Sequence, residues 1–380
     1  MLNLLNVIGS GSAIFLAFLV ITVRRSTNTI ANRWLGAFLL ELGLFILDDS
    51  LAVFGVYKSY PPLIGWFNLP LFALAPSLFL TVSQFVSVGR RFRSRDIWHF
   101  VPFLLFFLLS LPFLLSSDAI KLEVLASSYK PMDWSDKILF FMVVVQMVAY
   151  LFFSLQKLRK HRKNLENITA APDEAGLNWL LYFLYGVIGM VMIWFAELFV
   201  WPTGADAGWY SIAYFAAVYL LGFFALRQKE VFPFSKNDEE EVRVIMEENT
   251  DWVGVRRSLF AAEKLEKLKS HLLEKMETEK PYLDPELNLP GLAHHLKLSV
   301  HEMSELVNAG FGENFAQFVN RYRVEESKRL LHSEKHAHLS MVGIAFEAGF
   351  NSKTAFNTAF KKLAGMSPTE YKAESAPAGA

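Results

Sequence analysis

The chain has 380 residues, enough for two or three domains of ordinary size. Hydrophobic residues make up 53% and charged residues only 19%, with 35 phenylalanines, which excludes a disordered chain and argues against a wholly soluble one. Formal charge is zero and cysteine is absent, so no overall basic excess marks a nucleic-acid partner, and disulfide scaffolds, zinc ribbons, iron–sulfur clusters and thiol nucleophiles are excluded.

Up to about Leu226 the sequence consists of long apolar runs with short polar breaks. A spanning helix needs about 20 mostly apolar residues. Seven candidate spans follow, at roughly 4–23, 34–56, 64–86, 97–116, 136–155, 179–200 and 210–226. The first lacks a basic leader and a small-residue cleavage site, so it reads as a span rather than a cleavable signal. Arg24, Arg25, Arg33, Arg90, Arg91, Arg93, Arg95, Lys157, Arg159, Lys160, Arg162 and Lys163 fall in alternate loops, against only Lys58, Lys121 and Lys130 in the others. The positive-inside rule then places the amino terminus outside and the hydrophilic carboxyl half in the cytoplasm. Lys157–Lys163 reads as a topology anchor at anionic lipid.

Span two contains Glu41, Asp48 and Asp49, and span six contains Glu197. Carboxylates inside a membrane are rare and mark function by default. Asp48, Asp49 and Glu197 would share the outer half under this topology. Together with Glu41 they are candidates for a ligand- or proton-sensing site, which Trp66, Trp194 and Trp201 could line. The competing reading places Asp49 and Glu197 at the interface, and Trp201 and Trp209 in an aromatic belt.

A connector begins after Arg227 with Val231-Phe232-Pro233-Phe234 and the acidic run Asp238-Glu239-Glu240-Glu241. From Ser258 to Glu279 the pattern turns helical. Leu265, Leu268, Leu272 and Met276 form one apolar stripe, which serves either packing on its own domain or a short dimerising coil. Pro281 and Pro285 end that helix.

Leu292-Ala293-x-x-Leu296 gives the next apolar face, broken at Leu298-Ser299. Ser299-x-x-Glu302 is a capping box, with Leu298 and Met303 placed for a hydrophobic staple. Met303, Leu306 and Val307 face inward; His301, Ser304, Glu305 and Asn308 face outward. The arrangement recurs 52 residues later at Ile344-Ala345 and Phe350-Asn351, with Gly349 suited to a positive-φ reversal. Phe356, Ala359, Phe360 and Leu363 then line an inner face. Lys353, Thr354, Asn357, Thr358 and Lys361 line the outer one, and Ser352 opens the segment. Ser367-Pro368-x-Glu370 is a second capping box. Two short helices with a tight turn make a helix-turn-helix, present here twice. A helix from Asn314 to His332, with Phe315, Phe318, Val319 and Tyr322 inward, would hold the two reading helices about one DNA turn apart.

These residues, with Asn314-Phe315, Asn320-x-Tyr322-Arg323-Val324-Glu325, Lys328-x-Leu330-Leu331, Phe360-Lys361-Lys362 and Gly365-Met366-Ser367-Pro368-x-Glu370-Tyr371, resemble the DNA-binding domain of AraC-type transcriptional regulators. The resemblance covers about Leu283 to Lys372. With the apolar half, it resembles the membrane-anchored branch of that family. It implies sequence-specific binding to promoter DNA and transcriptional control, commonly by dimers, with Val300–Ala309 and Ser352–Leu363 as reading segments.

The expected fold is therefore all-α. A seven-helix transmembrane bundle (1–227) precedes a linker (228–285), an AraC-type domain with two helix-turn-helix subdomains joined by a long helix (286–374), and a flexible tail (375–380). The expected DNA-reading residues are His301, Ser304, Glu305, Asn308, Ser352, Lys353, Thr354, Asn357, Thr358 and Lys361. Expected partners are double-stranded operator DNA, the lipid bilayer, RNA polymerase, a second copy in a homodimer, and a chemical or physical signal. The expected location is a bacterial cytoplasmic membrane.

One feature departs from the family. Basic and acidic residues balance between Glu286 and Glu374, whereas DNA-binding domains are usually basic. Glu305 stands where relatives often carry a neutral or basic residue; it would accept from a cytosine amino group or weaken the first reading helix. Thr358 stands where the family often has Arg. Weak binding by one copy is expected, compensated by dimerisation on the membrane. His294, His295, His332, His336 and His338 read as solvent-facing, with no metal or cofactor expected. No phosphate loop, serine elbow or kinase motif is present, so no enzyme activity is expected. Two rival readings stand beside this one. The spans could be an anchor only, with proteolytic release of the DNA-binding part, or the chain could be a transporter-like protein with a regulatory tail.

Overall fold

The computed structural model describes residues 2–23, 28–87, 92–127, 134–170, 177–200, 209–226, 236–247 and 260–374. No strand occurs among the described residues; the elements are helices joined by turns. Two compact units emerge. One comprises Met1–Arg159 and Asn178–Val231; the other comprises Lys160–Leu177 and Phe232–Ala380. The segment 160–177, a basic loop in the sequence reading, thus groups with the carboxyl-terminal unit.

The first unit contains α1 (Leu2–Thr22), α2 (Thr29–Val53), the short α3 (Val56–Ser59), α4 (Leu71–Phe85), α5 (Val101–Leu114), α6 (Asp118–Ser127), most of α7 (Trp134–Leu165), α8 (Asn178–Val200) and α9 (Trp209–Leu226). α1 and α2 approach closely because glycines face the contact. A Cβ on Gly36 would lie 2.4 Å from the Ile21 side chain, and one on Gly43 would lie 2.8 Å from Ile14. The Ser10 hydroxyl donates to the Gly43 carbonyl at 2.8 Å across the same seam. Small residues and interhelical hydroxyl bonds are how apolar helices associate without a hydrophobic drive between them. Large apolar side chains also point outward along α5 and α7, including Leu104, Leu108, Phe141, Val145 and Phe152, with Leu109 81% exposed.

Seven spans are not supported. Among the described residues, three helices are long and apolar enough to cross a membrane: Leu4–Thr22, Ser94–Leu114 and Lys137–Leu165. The expected span 64–86 is broken. Gly65 takes φ +89° and Pro70 precedes the helix, so α4 has 15 residues, about 22 Å at 1.5 Å per residue. That is short of the roughly 30 Å hydrocarbon core. α2 has 25 residues but carries Arg33, Glu41, Asp48 and Asp49. The described apolar parts of α8 and α9, Asn178–Ile193 and Ser211–Leu226, are shorter apolar helices. The fifth expected span is longer than predicted, at 32 residues, because its helix continues through the basic segment to Leu165.

The second unit contains α10 (Lys236–Glu247), α11 (Ala262–Thr278), a 3-10 turn at Pro281–Leu283, α12 (Leu289–Leu296), α13 (Val300–Phe311), α14 (Phe315–Leu331), α15 (Met341–Glu347), α16 (Lys353–Ala364) and α17 (Pro368–Glu374). In the α11 stripe Leu272 and Met276 are fully buried, Leu265 and Leu268 are half-buried, and α11 packs on α13. α14 matches the expected connector, with Asn314 as N-cap and His332 as C-cap. Phe315, Phe318 and Val319 are buried as predicted, and Tyr322 is half-buried. The expected tail at 375–380 lies outside the described residues.

Candidate nucleic-acid interface

The two helix-turn-helix units are built the same way. In the first, Asn288 caps α12, its Oδ1 accepting from Gly291 N at 2.9 Å. α12 ends with Lys297 in the left-handed region, and Leu298 N donates to Ala293 O at 3.0 Å. In the second, Ser340 caps α15, Gly349 takes φ +87°, and Phe350 N donates to Ala345 O at 2.9 Å. Both first helices thus end in the same six-residue closure. Gly349 is required there on two counts: its φ is positive, and a Cβ would lie 2.3 Å from the Tyr282 carbonyl oxygen.

The predicted capping boxes form. Ser299 Oγ accepts from Glu302 N and Glu302 Oε2 accepts from Ser299 N, both at 3.1 Å. Ser367 and Glu370 exchange the same pair of bonds at 2.7 and 3.3 Å. The Ser367 backbone and hydroxyl hold the Glu370 carboxyl below its usual range. Asn314 and Gln317 form a third box at the start of α14.

On α16 the expected reading residues Lys353, Thr354, Asn357, Thr358 and Lys361 are exposed, and Phe356 and Phe360 are buried. Ser352 instead caps the helix, its Oγ accepting from Ala355 N at 3.1 Å. Leu363, expected inward, is 43% exposed; Ala364 packs against the Phe350–Phe356–Phe360 cluster in its place. α16 holds Lys353, Lys361 and Lys362 and no acidic residue. A domain neutral overall therefore presents one basic helix, α16, whose charge suits phosphate backbone contact.

α13 differs. Met303, Leu306 and Val307 are buried as predicted, and His301, Glu305 and Asn308 are half-buried. Ser304, expected outward, is only 4% exposed, and Asn308 Nδ2 donates to its hydroxyl at 3.3 Å. The physical reason is packing from several sides: α10, α11, α12 and α14 all pack on α13.

Several acids counted against DNA binding are already partnered. Glu302 and Glu370 are caps. Glu313 pairs with Arg321 at 3.1 Å, Glu325 with Lys328 at 2.7 Å, and Glu326 with Arg329 at 2.6 Å. One basic residue is likewise unavailable. Arg323 is buried, donating from Nε to Tyr282 O at 2.8 Å and from Nη2 to Asp284 O at 2.7 Å, under the Phe350 ring. Burial pushes its guanidinium down to about 10. Sequence reasoning missed this role, because an Arg in a helix reads as surface charge until its neighbours are known.

A second missed feature is the segment after α7. Its carbonyls cap the starts of two helices: Ile168 O accepts from Leu289 N at 2.7 Å, and Glu166 O accepts from Ala316 N at 2.8 Å. Asn314 Nδ2 donates to Glu166 Oε2 at 3.2 Å, and Asn320 Nδ2 donates to Ala170 O at 3.3 Å. The first turn of a helix leaves N–H groups without intrahelical partners, and here a distant segment supplies them. Leu165 and Ile168 are fully buried in that contact.

The candidate sensing carboxylates do not share one set of donors. Glu41 Oε1 accepts from Ser77 Oγ at 2.9 Å. Asp48 accepts from the Tyr57 hydroxyl, and from Asn68 Nδ2 at 2.6 Å. Asp49, which is exposed, accepts from Asn6 Nδ2 at 3.0 Å. Glu197 lies on α8, but its side chain is outside the described residues, as are those of Trp194 and Trp201. Trp66 is exposed.

Residues 292–374 match the family model described as "Helix-turn-helix domain". The chain is 31% identical over 126 residues to the protein named "Probable transcriptional regulator LumQ" of Photobacterium leiognathi. That match covers 33% of this chain and 49% of the relative, so the chain spans about half the length of the curated relative it matches. No solved structure matches the chain significantly. The carboxyl-terminal part of this chain is an AraC-type helix-turn-helix domain.

Proposed function

We propose that the protein is a membrane-bound, sequence-specific DNA-binding transcriptional regulator of a bacterial cytoplasmic membrane. The observation that carries the DNA-binding part is the exposed face of α16, with Lys353, Asn357 and Lys361 on one side of a helix inside the matched domain. Lysines there neutralise phosphates, and Asn357 is suited to bidentate recognition of adenine in the major groove. His301, Ser304, Glu305 and Asn308 of α13 form the second reading set. The connector α14, 17 residues or about 26 Å long, suits successive major grooves.

The apolar unit is the membrane part. Leu104, Leu108, Leu109 and Phe141 on its outside would be a liability in water and suit lipid. The amino terminus faces outward, the basic loops and the domain face the cytoplasm, and several passes cross the bilayer. The signal is sensed through α2, where Asp48 holds the Tyr57 and Asn68 side chains, with Glu41, Asp49 and Glu197 contributing. The working form is a homodimer on promoter DNA, acting on RNA polymerase.

The test is selection from a random duplex pool by full-length protein in lipid nanodiscs, beside the Lys353→Ala and Asn357→Ala variants. The expected result is one enriched site, weakened by both changes. An unenriched pool would overturn the DNA-reading role. Asp48→Asn is then introduced into a promoter reporter for the enriched site. A changed signal response is expected; unaltered output would leave the apolar unit as an anchor alone.

A further inference from the structure

We infer that the acidic helix α10 is a built-in cover for the first reading helix, which DNA must displace before both helix-turn-helix units engage. This rests on the DNA-binding reading above. The helices α13 and α16 are twins displaced by 53 residues from their N-caps, Ser299 and Ser352. Val300 then corresponds to Lys353, and Ser304 to Asn357. Lys353 and Asn357 are exposed, whereas Val300 is 2% and Ser304 is 4% exposed. One flank, open on the second reading helix, is closed on the first.

α10 packs on α13 and buries its own apolar residues Val242, Ile245 and Met246, spaced three and one apart along a single face. The same helix places carboxylates where DNA would place phosphates. Glu241 Oε2 accepts from His301 N at 3.1 Å in the first turn of α13, and Asp238 Oδ1 lies 3.3 Å from His294 Nε2 on α12. Backbone N–H groups at a helix start are a common phosphate contact in DNA complexes. Here the N–H is taken by a carboxylate of the same chain, and the acidic run around it repels phosphate.

The cover is also held at its far end. Asn164 Nδ2, in the last turn of α7, donates to Met246 O at 2.6 Å. A shift of that turn would loosen the bond and with it the hold of α10 on α13. Apparent DNA affinity falls by the fraction of molecules in which the reading helix is open, so the cover sets the resting affinity and its release raises it.

The test uses full-length protein in nanodiscs and exploits the absence of native cysteine. Single-cysteine variants Ser304→Cys and Asn357→Cys are labelled with a maleimide, without DNA. Ser304→Cys is expected to react at least about tenfold more slowly, since a covered site reacts only through local opening. Adding Glu241→Gln with Val242→Ala, or Asn164→Ala alone, is expected to speed Ser304→Cys and leave Asn357→Cys unchanged. Separately, Glu241→Gln/Val242→Ala and Asn164→Ala proteins with native Ser304 are titrated with a fluorescent duplex of mixed sequence at low salt. Several-fold tighter binding than wild type is expected. Equal labelling of the two cysteines in wild type overturns the cover. Released labelling with unchanged affinity overturns its inhibitory role. Absence of binding in every variant, with the labelling pattern intact, overturns the DNA reading itself and the inhibition with it.

Discussion

The Arg323 guanidinium donates to the Tyr282 carbonyl at 2.8 Å, linking the long connector α14 to the turn that precedes the first helix-turn-helix. A second bond runs to Asp284 O, and the same group lies under Phe350 of the second unit. One side chain therefore ties both halves of the DNA-binding domain to the helix between them. Arg323→Met removes the donors and leaves two carbonyls without them, at about 1–3 kcal/mol for each buried unpaired group. The expected result is a lower unfolding midpoint for the second unit, read as faster hydrogen exchange around 282–284 and 349–350. Arg323→Lys should recover little of this, because a single ammonium cannot span two carbonyls as a planar guanidinium does.

Gly349 and Gly365 both have positive φ, at +87° and +78°, but only one is hemmed in. A Cβ on Gly349 meets Tyr282 O at 2.3 Å and Leu283 Cα at 2.8 Å, both backbone; nothing lies within 4 Å of one on Gly365. Gly365→Ala should cost about 1 kcal/mol, the conformational strain alone. Gly349→Ala must move backbone, so a loss of more than about 3 kcal/mol is expected. Thermal unfolding of the two variants in parallel checks the difference. Equal midpoints would contradict the close approach of the two backbones.

On α16, Lys353→Ala and Lys361→Ala should weaken DNA binding about equally for all sequences, each reducing the slope of log affinity against log salt by about one. Asn357→Ala should instead cost about 1–3 kcal/mol at the preferred site and relax the preference at one base pair. Titrations of preferred and scrambled duplexes over a range of salt separate the two effects. A sequence-independent loss for Asn357→Ala would show that it contacts backbone only.

Glu326 is buried to 8% exposure between Arg329 and Lys280. The Arg329 hydrogen bond, and then the Lys280 charge, hold its carboxyl below the usual range. A carboxylate depressed in the folded state contributes stability above its unfolded value, near 4.3, and loses it as pH falls through the lower folded value. Unfolding midpoints of wild type should therefore drop below about pH 4. In Glu326→Gln that part of the acid dependence should be missing, with a lower plateau at neutral pH. Parallel acid profiles for the two proteins would remove Glu326 from this role.

The local chemistry of the second unit was legible in the residues themselves. Capping boxes at Ser299–Glu302 and Ser367–Glu370, the positive φ of Gly349, and the connector bounded by Asn314 and His332 are set by interactions within a few residues. Such interactions leave a direct trace in spacing. The composition likewise separated an apolar half from an amphipathic one, because long apolar helices and helices amphipathic around a small core have different patterns. Tertiary structure decided the rest. It gave Arg323 a buried partner in Tyr282 across 41 residues and seated Glu166 and Ile168 on helices more than a hundred residues away. It buried Ser304 and left Asn357 open, although the two hold the same place in twin helices. Charge and polarity are properties of a residue, but burial and pairing are properties of whatever the fold brings against it.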